Sequence, residues 1–345
     1  MKKYFFILAA AAALAACAKN EVTPVLSNEN TEIAYNVAPK TKAGLGPNQE
    51  NFATGNVFAS WAFYLPKDKT WAADKATSQP YIVNSKISHQ NNIWKDQSKS
   101  YYWPKDGGSL TFLAYSLNRN NLTLAEGSEF TCGAATGVQG HIDLKDNKNT
   151  DFLVADIAAD KTANENQYVF NGVPTLFKHK LSRVACTVKK AADYADKKFE
   201  LKEINFLKVA TYGTYAQLPT EKFTAGTIQN DQVYTTAPAV PQEITTTATA
   251  VAAEDVVIYM PQTFDPNATE EKTAKIQVKY TVTTTVGTGT VVEDCVAEVP
   301  IKTYFTEWAM GKKYTFNITF ALNEITWDPA VEKWEDIAST DITIQ

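Results

Sequence analysis

Arginine is nearly missing from this chain. Of its 33 basic residues only Arg119 and Arg183 carry a guanidinium, and the rest are lysines. The planar guanidinium fork is the usual reader of phosphate and guanine, so its scarcity counts against such ligands. The formal charge of −5 becomes −7 once Lys2 and Lys3 leave with the N-terminal leader, which contains no acidic residue. A mildly acidic mature chain has little to offer a polyanion, and no nucleic-acid partner is expected. Histidine is scarce too: His89, His141 and His179 lie far apart, and no H-E-x-x-H sets two of them above a metal. A G-x-S-x-G elbow, a phosphate-cradling G-x-x-x-x-G-K and a dinucleotide fingerprint are all lacking. Asp143, Asp146 and Asp151 sit in one acidic stretch, but Lys145 and Lys148 stand where calcium would need oxygen ligands. No catalytic residue, no metal site and no cofactor is therefore expected, and the chain is not read as an enzyme.

The chain also has few cysteines and no long apolar run. Of four cysteines, Cys17 ends the sequence Leu14-Ala15-Ala16-Cys17, after two lysines and the apolar stretch from Tyr4 to Ala13. That order is a secretory signal closing in a lipobox, with cleavage between Ala16 and Cys17 and lipid attached to the Cys17 thiol. The apolar stretch is well short of the roughly 20 residues that cross a bilayer. The expectation is a mature chain anchored to the outer membrane by lipid, without a spanning segment. Cys132, Cys186 and Cys295 remain; they form no C-x-x-C, buried thiols are the favoured reading, and one disulfide among them stays open.

No helical stripe stands out, and period-two alternation dominates. Val57, Ala59, Trp61, Phe63 and Leu65 fall on one side of a strand, and Leu110, Phe112 and Ala114 on one side of another, both read as half-buried. Ile276, Val278, Tyr280 and Val282 alternate with polar residues, and Tyr314, Phe316, Ile318, Phe320 and Leu322 form the strongest run. Between Phe177-His179-Leu181 and Val184-Cys186-Val188 the phase slips by one residue, which predicts a bulge near Ser182. Trp61, Trp103 and Trp308 are expected in the core. Many short strands between Gly, Pro and Asn turns indicate an all-β chain of sandwich architecture. The division read from the sequence is 1-16 signal peptide, 17-52 lipidated tether with a first strand, 53-170 N-terminal sandwich and 171-345 C-terminal sandwich.

Several segments together resemble the fimbrillins, subunits of type V pili. They are Tyr102-Trp103-Pro104 followed by Leu110-Thr111-Phe112-Leu113-Ala114-Tyr115, then Asp151-Phe152-Leu153-Val154-Ala155, then Leu176 to Val184. The last are Trp308 to Phe316, Ile325, and Val331 to Trp334. The resemblance implies two tandem transthyretin-like β-sandwich domains, display on the cell surface or in a fimbrium, adhesion, other fimbrial subunits as partners, and assembly by strand exchange. Two departures stand out. Ser116-Leu117 replaces the family's proline, and no arginine precedes Arg119 to serve as the maturation cleavage site.

Strand exchange needs a strand that leaves and one that replaces it. Thr31 to Val37, with Ile33, Tyr35 and Val37 on one side, is the candidate first strand, and Lys42, before Ala43-Gly44, is the candidate maturation cleavage site. The candidate donor is the C-terminal tail, with Ile337, Ile342 and Ile344 as anchors and Asp341 and Thr343 toward water. The opposing reading makes both ends permanent edge strands of their own domains. A second function class is a monomeric surface module for a glycan or host ligand, with Trp71 and Trp94 as stacking platforms in polar loops.

Overall fold

The computed structural model describes residues 31–37, 52–123, 129–144, 150–166, 172–226, 233–236, 240–251, 257–322 and 325–333. Cys17, Lys42, Ile337, Ile342 and Ile344 lie outside the described residues. The described chain is almost entirely strand, with one α-helix of four residues, Trp71–Asp74, and a few 3-10 turns. The all-β expectation holds.

Nine strands make the largest sheet. Its order is Val173–Thr175, Tyr35–Val37, Ile93–Asp96, Gln79–Gln90, Val57–Leu65, Ser109–Ser116, Leu153–Ala155, Phe177–His179, with Ala158–Lys161 also paired to Ser109–Ser116. The first and last strands of that order are separated in sequence by Leu176 alone. Because one residue spans under 4 Å, the two ends of the sheet meet at a bend and the sheet curls around an inner face. Phe58, Ala62, Ile87, Leu110, Phe112 and Trp94 fill that inside.

The central strands were expected to be half-buried, and they are buried on both faces. Along Val57–Leu65, Phe58 and Ala62 point into the curl, while Ala59, Trp61, Phe63 and Leu65 join a second core on the outer side. Ser109–Ser116 divides in the same way, with Leu110 and Phe112 inward and Leu113 and Tyr115 outward. Alternation hid this because both alternating sets are apolar, so a strand with two dry faces mimics one read from a single face.

The second core continues into a sandwich of two five-stranded sheets. In one, Ser182–Lys190 lies between Thr249–Ala250 and a parallel neighbour, Lys312–Phe320, which pairs on its far side with Ile325–Lys333; Val257–Tyr259 also joins Ser182–Lys190. In the other the order is Val233–Thr236, Lys197–Leu207, Lys275–Val286, Gly289–Pro300, with Gln242–Glu243 on Lys197–Leu207. Cys186, Phe316 and Ile318 from one face meet Leu201, Phe206 and Val278 from the other. The alternation of Tyr314, Phe316, Ile318 and Phe320 is inward as read, but Leu322 lies past the strand end and is exposed.

The slip near Ser182 is not a bulge. Phe177–His179 pairs with Leu153–Ala155 in the nine-stranded sheet, and Ser182–Lys190 belongs to a five-stranded one. The chain changes sheet at Lys180-Leu181, and a change of sheet resets which parity faces inward.

A four-stranded sheet joins the halves of the chain, with order Lys222–Ala225, Tyr212–Ala216, Gly137–Asp143, Glu129–Gly133. Gln217 fastens it. Its Oε1 accepts from the Val138 amide at 3.0 Å and its Nε2 donates to the Ala155 carbonyl at 3.0 Å, all in buried surroundings. Gly137 has φ of +64°, and a Cβ there would stand 2.8 Å from the Gln217 side chain, so glycine is needed for both reasons. Replacing this amide strands a buried donor and a buried acceptor, each costing about 1–3 kcal/mol. Gln217→Leu is expected to destabilise the protein by about 2–5 kcal/mol in urea titration; a midpoint unchanged from the parent would show that Gln217 is not a fastener.

Candidate functional site

The most distinctive place in the fold is the slot that holds the N-terminal strand. Tyr35–Val37 runs parallel to Val173–Thr175 in the register Tyr35 to Val173, Asn36 to Pro174, Val37 to Thr175. On its other side Tyr35 pairs antiparallel with Trp94. It is therefore an interior strand with neighbours on both sides, unlike the edge strand of the opposing reading.

Just upstream, the chain is clasped by the Tyr102-Trp103-Pro104 segment. The Ile33 amide donates to the Tyr101 carbonyl at 2.7 Å, the Trp103 amide donates to the Thr31 carbonyl at 3.0 Å, and Glu32 bridges to Tyr102. Below it, the Val173 amide donates to the Ala34 carbonyl at 2.8 Å.

Side chains lock the strand as the backbone does. Ile33 and Tyr35 are buried, and Val37 packs at the margin of the same core. The Tyr35 ring meets Phe58 edge-on at 5.3 Å and Phe112 at 5.7 Å, and its hydroxyl donates to Ser60 Oγ at 3.0 Å. Burial pushes the Tyr35 phenol well above its ordinary range, so it stays a neutral donor. At the mouth, Lys95 Nζ reaches both oxygens of Glu32, at 2.8 and 3.0 Å. Partial burial opposes ionisation of Glu32, but hydrogen bonds from Lys95 and Ser100 outweigh it and hold the carboxyl below the usual carboxylate range.

Ile33, Tyr35 and Val37 thus cover an apolar groove, as their alternation suggested. Gly172, Lys95 and Tyr101 were not foreseen. Gly172 has φ of +138°, and a Cβ there would lie 2.5 Å from the Ala34 carbonyl oxygen. Its sequence signal was present in Asn171-Gly172, which reads as a turn; what the turn makes room for is not local.

Elsewhere the expected residues fall into structural roles. Trp71 and Trp94, taken as platforms in polar loops, are both buried. Trp71 opens the short helix and packs on Phe63 at 5.8 Å, and Trp94 sits in a strand against Phe58 at 5.9 Å. Neither presents a face to a sugar. Trp61, Trp103 and Trp308 are core residues, as read. His179 Nδ1 lies 2.8 Å from Asp151 Oδ2, which ties Asp151 into the fold. Among the described residues no group of three metal-ligating side chains comes together. Cys132, Cys186 and Cys295 are free thiols, and burial pushes Cys132 and Cys186 up to about 12. No helix among the described residues is long and apolar enough to cross a membrane.

The chain matches the fimbrillin-like family over residues 46–334, most of its length, and belongs to that family. Among solved structures it is similar to a fimbrial protein from Bacteroides vulgatus, with a TM-score of 0.66 and 17% identity over 88% of this chain and 100% of that one. It is also similar to a candidate cell adhesion protein from Bacteroides uniformis, with a TM-score of 0.49 and 16% identity over 88% and 99% of the two chains. A tip fimbrial protein from Porphyromonas gingivalis gives a TM-score of 0.35 and 10% identity over 81% and 94%. No curated protein matches in sequence. The chain is a fimbrial, adhesion-type protein of the cell surface.

Two outcomes test the slot. Gly172→Val should loosen residues 31–37 without unfolding the sandwich, read as at least tenfold faster amide exchange at Ile33 and Val173 with Phe316 unchanged; unchanged exchange would show that the close approach is dispensable. Since the Glu32 carboxyl is held below its free value of 4.5, its contribution is present above that pH and is lost as pH falls through the folded value. Exchange at Ile33 relative to the core should therefore rise on acidification below 4.5, and Lys95→Met should flatten that dependence.

Proposed function

We propose that this chain is a structural subunit of a type V-like pilus, exported as a lipoprotein through Cys17 to the outer membrane, and assembled by exchange of its first strand. The observation that carries this reading is the insertion of Tyr35–Val37 as an interior strand of the nine-stranded sheet. A cut after Lys42 separates residues 17–42 from the rest of the chain, so that only noncovalent contacts retain the strand. Burial of its apolar side chains and its backbone bonds contribute on the order of 10 kcal/mol. Ordering seven residues costs a similar sum. Near balance suits a strand that must hold until cleavage and leave afterwards.

The vacated slot would then display the Val173–Thr175 and Ile93–Asp96 backbones beside an apolar groove floored by Phe58 and Phe112. Such a surface takes up another strand readily. The tail of a neighbouring subunit supplies it, with Ile337, Ile342 and Ile344 as anchors and Asp341 and Thr343 toward solvent. The protein acts without catalysis or cofactor, its partners being the membrane, other fimbrial subunits and the surface ligand to which the pilus adheres.

Limited trypsin digestion of the mature protein, with N-terminal sequencing and sizing, tests the switch. Cleavage near Lys42 should release residues 17–42 and yield heat-resistant oligomers, and deleting residues 341–345 should abolish them. A cleaved monomer that keeps its first strand, or oligomers indifferent to the deletion, would sink the reading. Cys17→Ser should abolish fatty-acid labelling and membrane association; a mutant labelled as strongly as the parent would remove the anchor.

A further inference from the structure

The two sheets of the C-terminal sandwich do not close against each other along one flank. The strand Gly289–Pro300 ends its sheet, pairing only with Lys275–Val286 among the described residues, and Ile325–Lys333 ends the other, pairing only with Lys312–Phe320. Between them runs a groove of about 430 Å³ lined by Phe199, Tyr280, Val282, Cys295, Ile325 and Trp327. Its origin is visible along Lys275–Val286. Ile276 and Val278 are buried, but Tyr280 and Val282, on the same face, are only partly covered, although Phe320 of the opposite sheet meets the Tyr280 ring edge-on at 5.0 Å.

Apart from three acidic side chains, the Gly289–Pro300 edge lacks the devices that usually blunt an edge. Its register with Lys275–Val286 is unbroken over twelve pairs, it carries no lysine, and its one proline is the last residue. Val291, Val292 and Val296 are 50%, 62% and 59% exposed. The charges along it are all acidic: Glu293, Asp294 and Glu298. Asp294 pairs with Lys202, and Glu298 pairs with Lys275 and accepts from Gln277 Nε2 at 2.7 Å. Lys197, at the groove's other rim, donates to Thr284 Oγ1 at 3.0 Å. Glu293 lines the groove and has no ion pair among the described residues.

We propose that this flank is a second interaction surface, separate from the first-strand slot, which binds an extended segment of another protein that carries apolar side chains and a lysine or arginine on one face. The segment adds to the Gly289–Pro300 edge through backbone hydrogen bonds, seats its apolar side chains between Tyr280 and Trp327, and sets a cation against Glu293. Charge selects this occupant over two others. The same edge of a second copy would bring three carboxylates against three. The chain's own tail carries Glu335, Asp336 and Asp341 and no base after Lys333, so it too is like-charged.

Cys295 gives a local readout, because it lines the groove while burial leaves Cys132 and Cys186 protonated and slow to alkylate. The mature protein is titrated with a ten-residue peptide carrying valine and lysine on one face and threonine on the other, and Cys295 alkylation is followed by peptide-resolved mass spectrometry. The peptide should slow that reaction at least fivefold. Its glutamate-for-lysine counterpart and a version with alternate backbone amides N-methylated should not. Glu293→Lys, a change at an exposed edge position, should reverse the preference between the lysine and glutamate peptides at an unchanged melting temperature. Equal protection by all three peptides, or protection by none, overturns the proposal. So do three other results: faster alkylation on removal of residues 335–345 before any peptide is added, which assigns the groove to the tail; protection that rises with protein concentration alongside a dimer in ultracentrifugation, which assigns it to a second copy; and protection by an oligosaccharide where the lysine peptide gives none. None of these results bears on the Lys42 cleavage experiment, so the two surfaces stand or fall separately.

Discussion

The Val57–Leu65 strand has no face left for water, and the architecture follows from that. With Phe58 and Ala62 on one side and Trp61, Phe63 and Leu65 on the other, it is stable only between two apolar layers. One layer is made by curling its own sheet until Val173–Thr175 and Phe177–His179 meet at Leu176. The other is made by the strands that continue into the C-terminal sandwich. A sheet curled this tightly needs a strand at each position of its circuit, and the position between Val173–Thr175 and Ile93–Asp96 is filled from the N-terminus.

That arrangement makes the first strand necessary to the sheet. It is necessary because Tyr35 fills space beside Phe58 and Phe112 that would otherwise be wet. What holds it is noncovalent and short-range: backbone bonds, the packing of Ile33 and Tyr35, the Tyr35–Ser60 hydrogen bond, the Lys95–Glu32 pair and the close approach permitted by Gly172. Nothing covalent ties it to its neighbours except the linker that follows. The Tyr102-Trp103-Pro104 motif gains a physical meaning here, since the Trp103 amide and the Tyr101 carbonyl are the clasp.

The two halves of the molecule treat their edges differently. The nine-stranded sheet meets itself and buries its vulnerable strand, whereas the C-terminal sandwich leaves Gly289–Pro300 long, regular and exposed. Gln217 and the shared four-stranded sheet couple these regions.

By itself the sequence determined the strand content, the identity of most core aromatics and the family, because alternation at period two and ordered motifs are local and survive without knowledge of partners. It also marked Ile33, Tyr35 and Val37 as one face of a strand, since that pattern needs only three residues. It could not say which strands lie next to which. Val57–Leu65 read as half-buried because parity reports alternation and not what covers each face, and the slip at Ser182 read as a bulge because a change of sheet and an extra residue shift the phase alike. Trp71 and Trp94 stood among polar neighbours in sequence but are buried, the Trp71 amide bonded to Asp160 and the Trp94 ring packed on Phe52 and Phe58, all brought close by the fold. The slot around Tyr35 and the open flank beside Cys295 exist only as distances between strands far apart in the chain, and pairing across such separations is decided by tertiary packing.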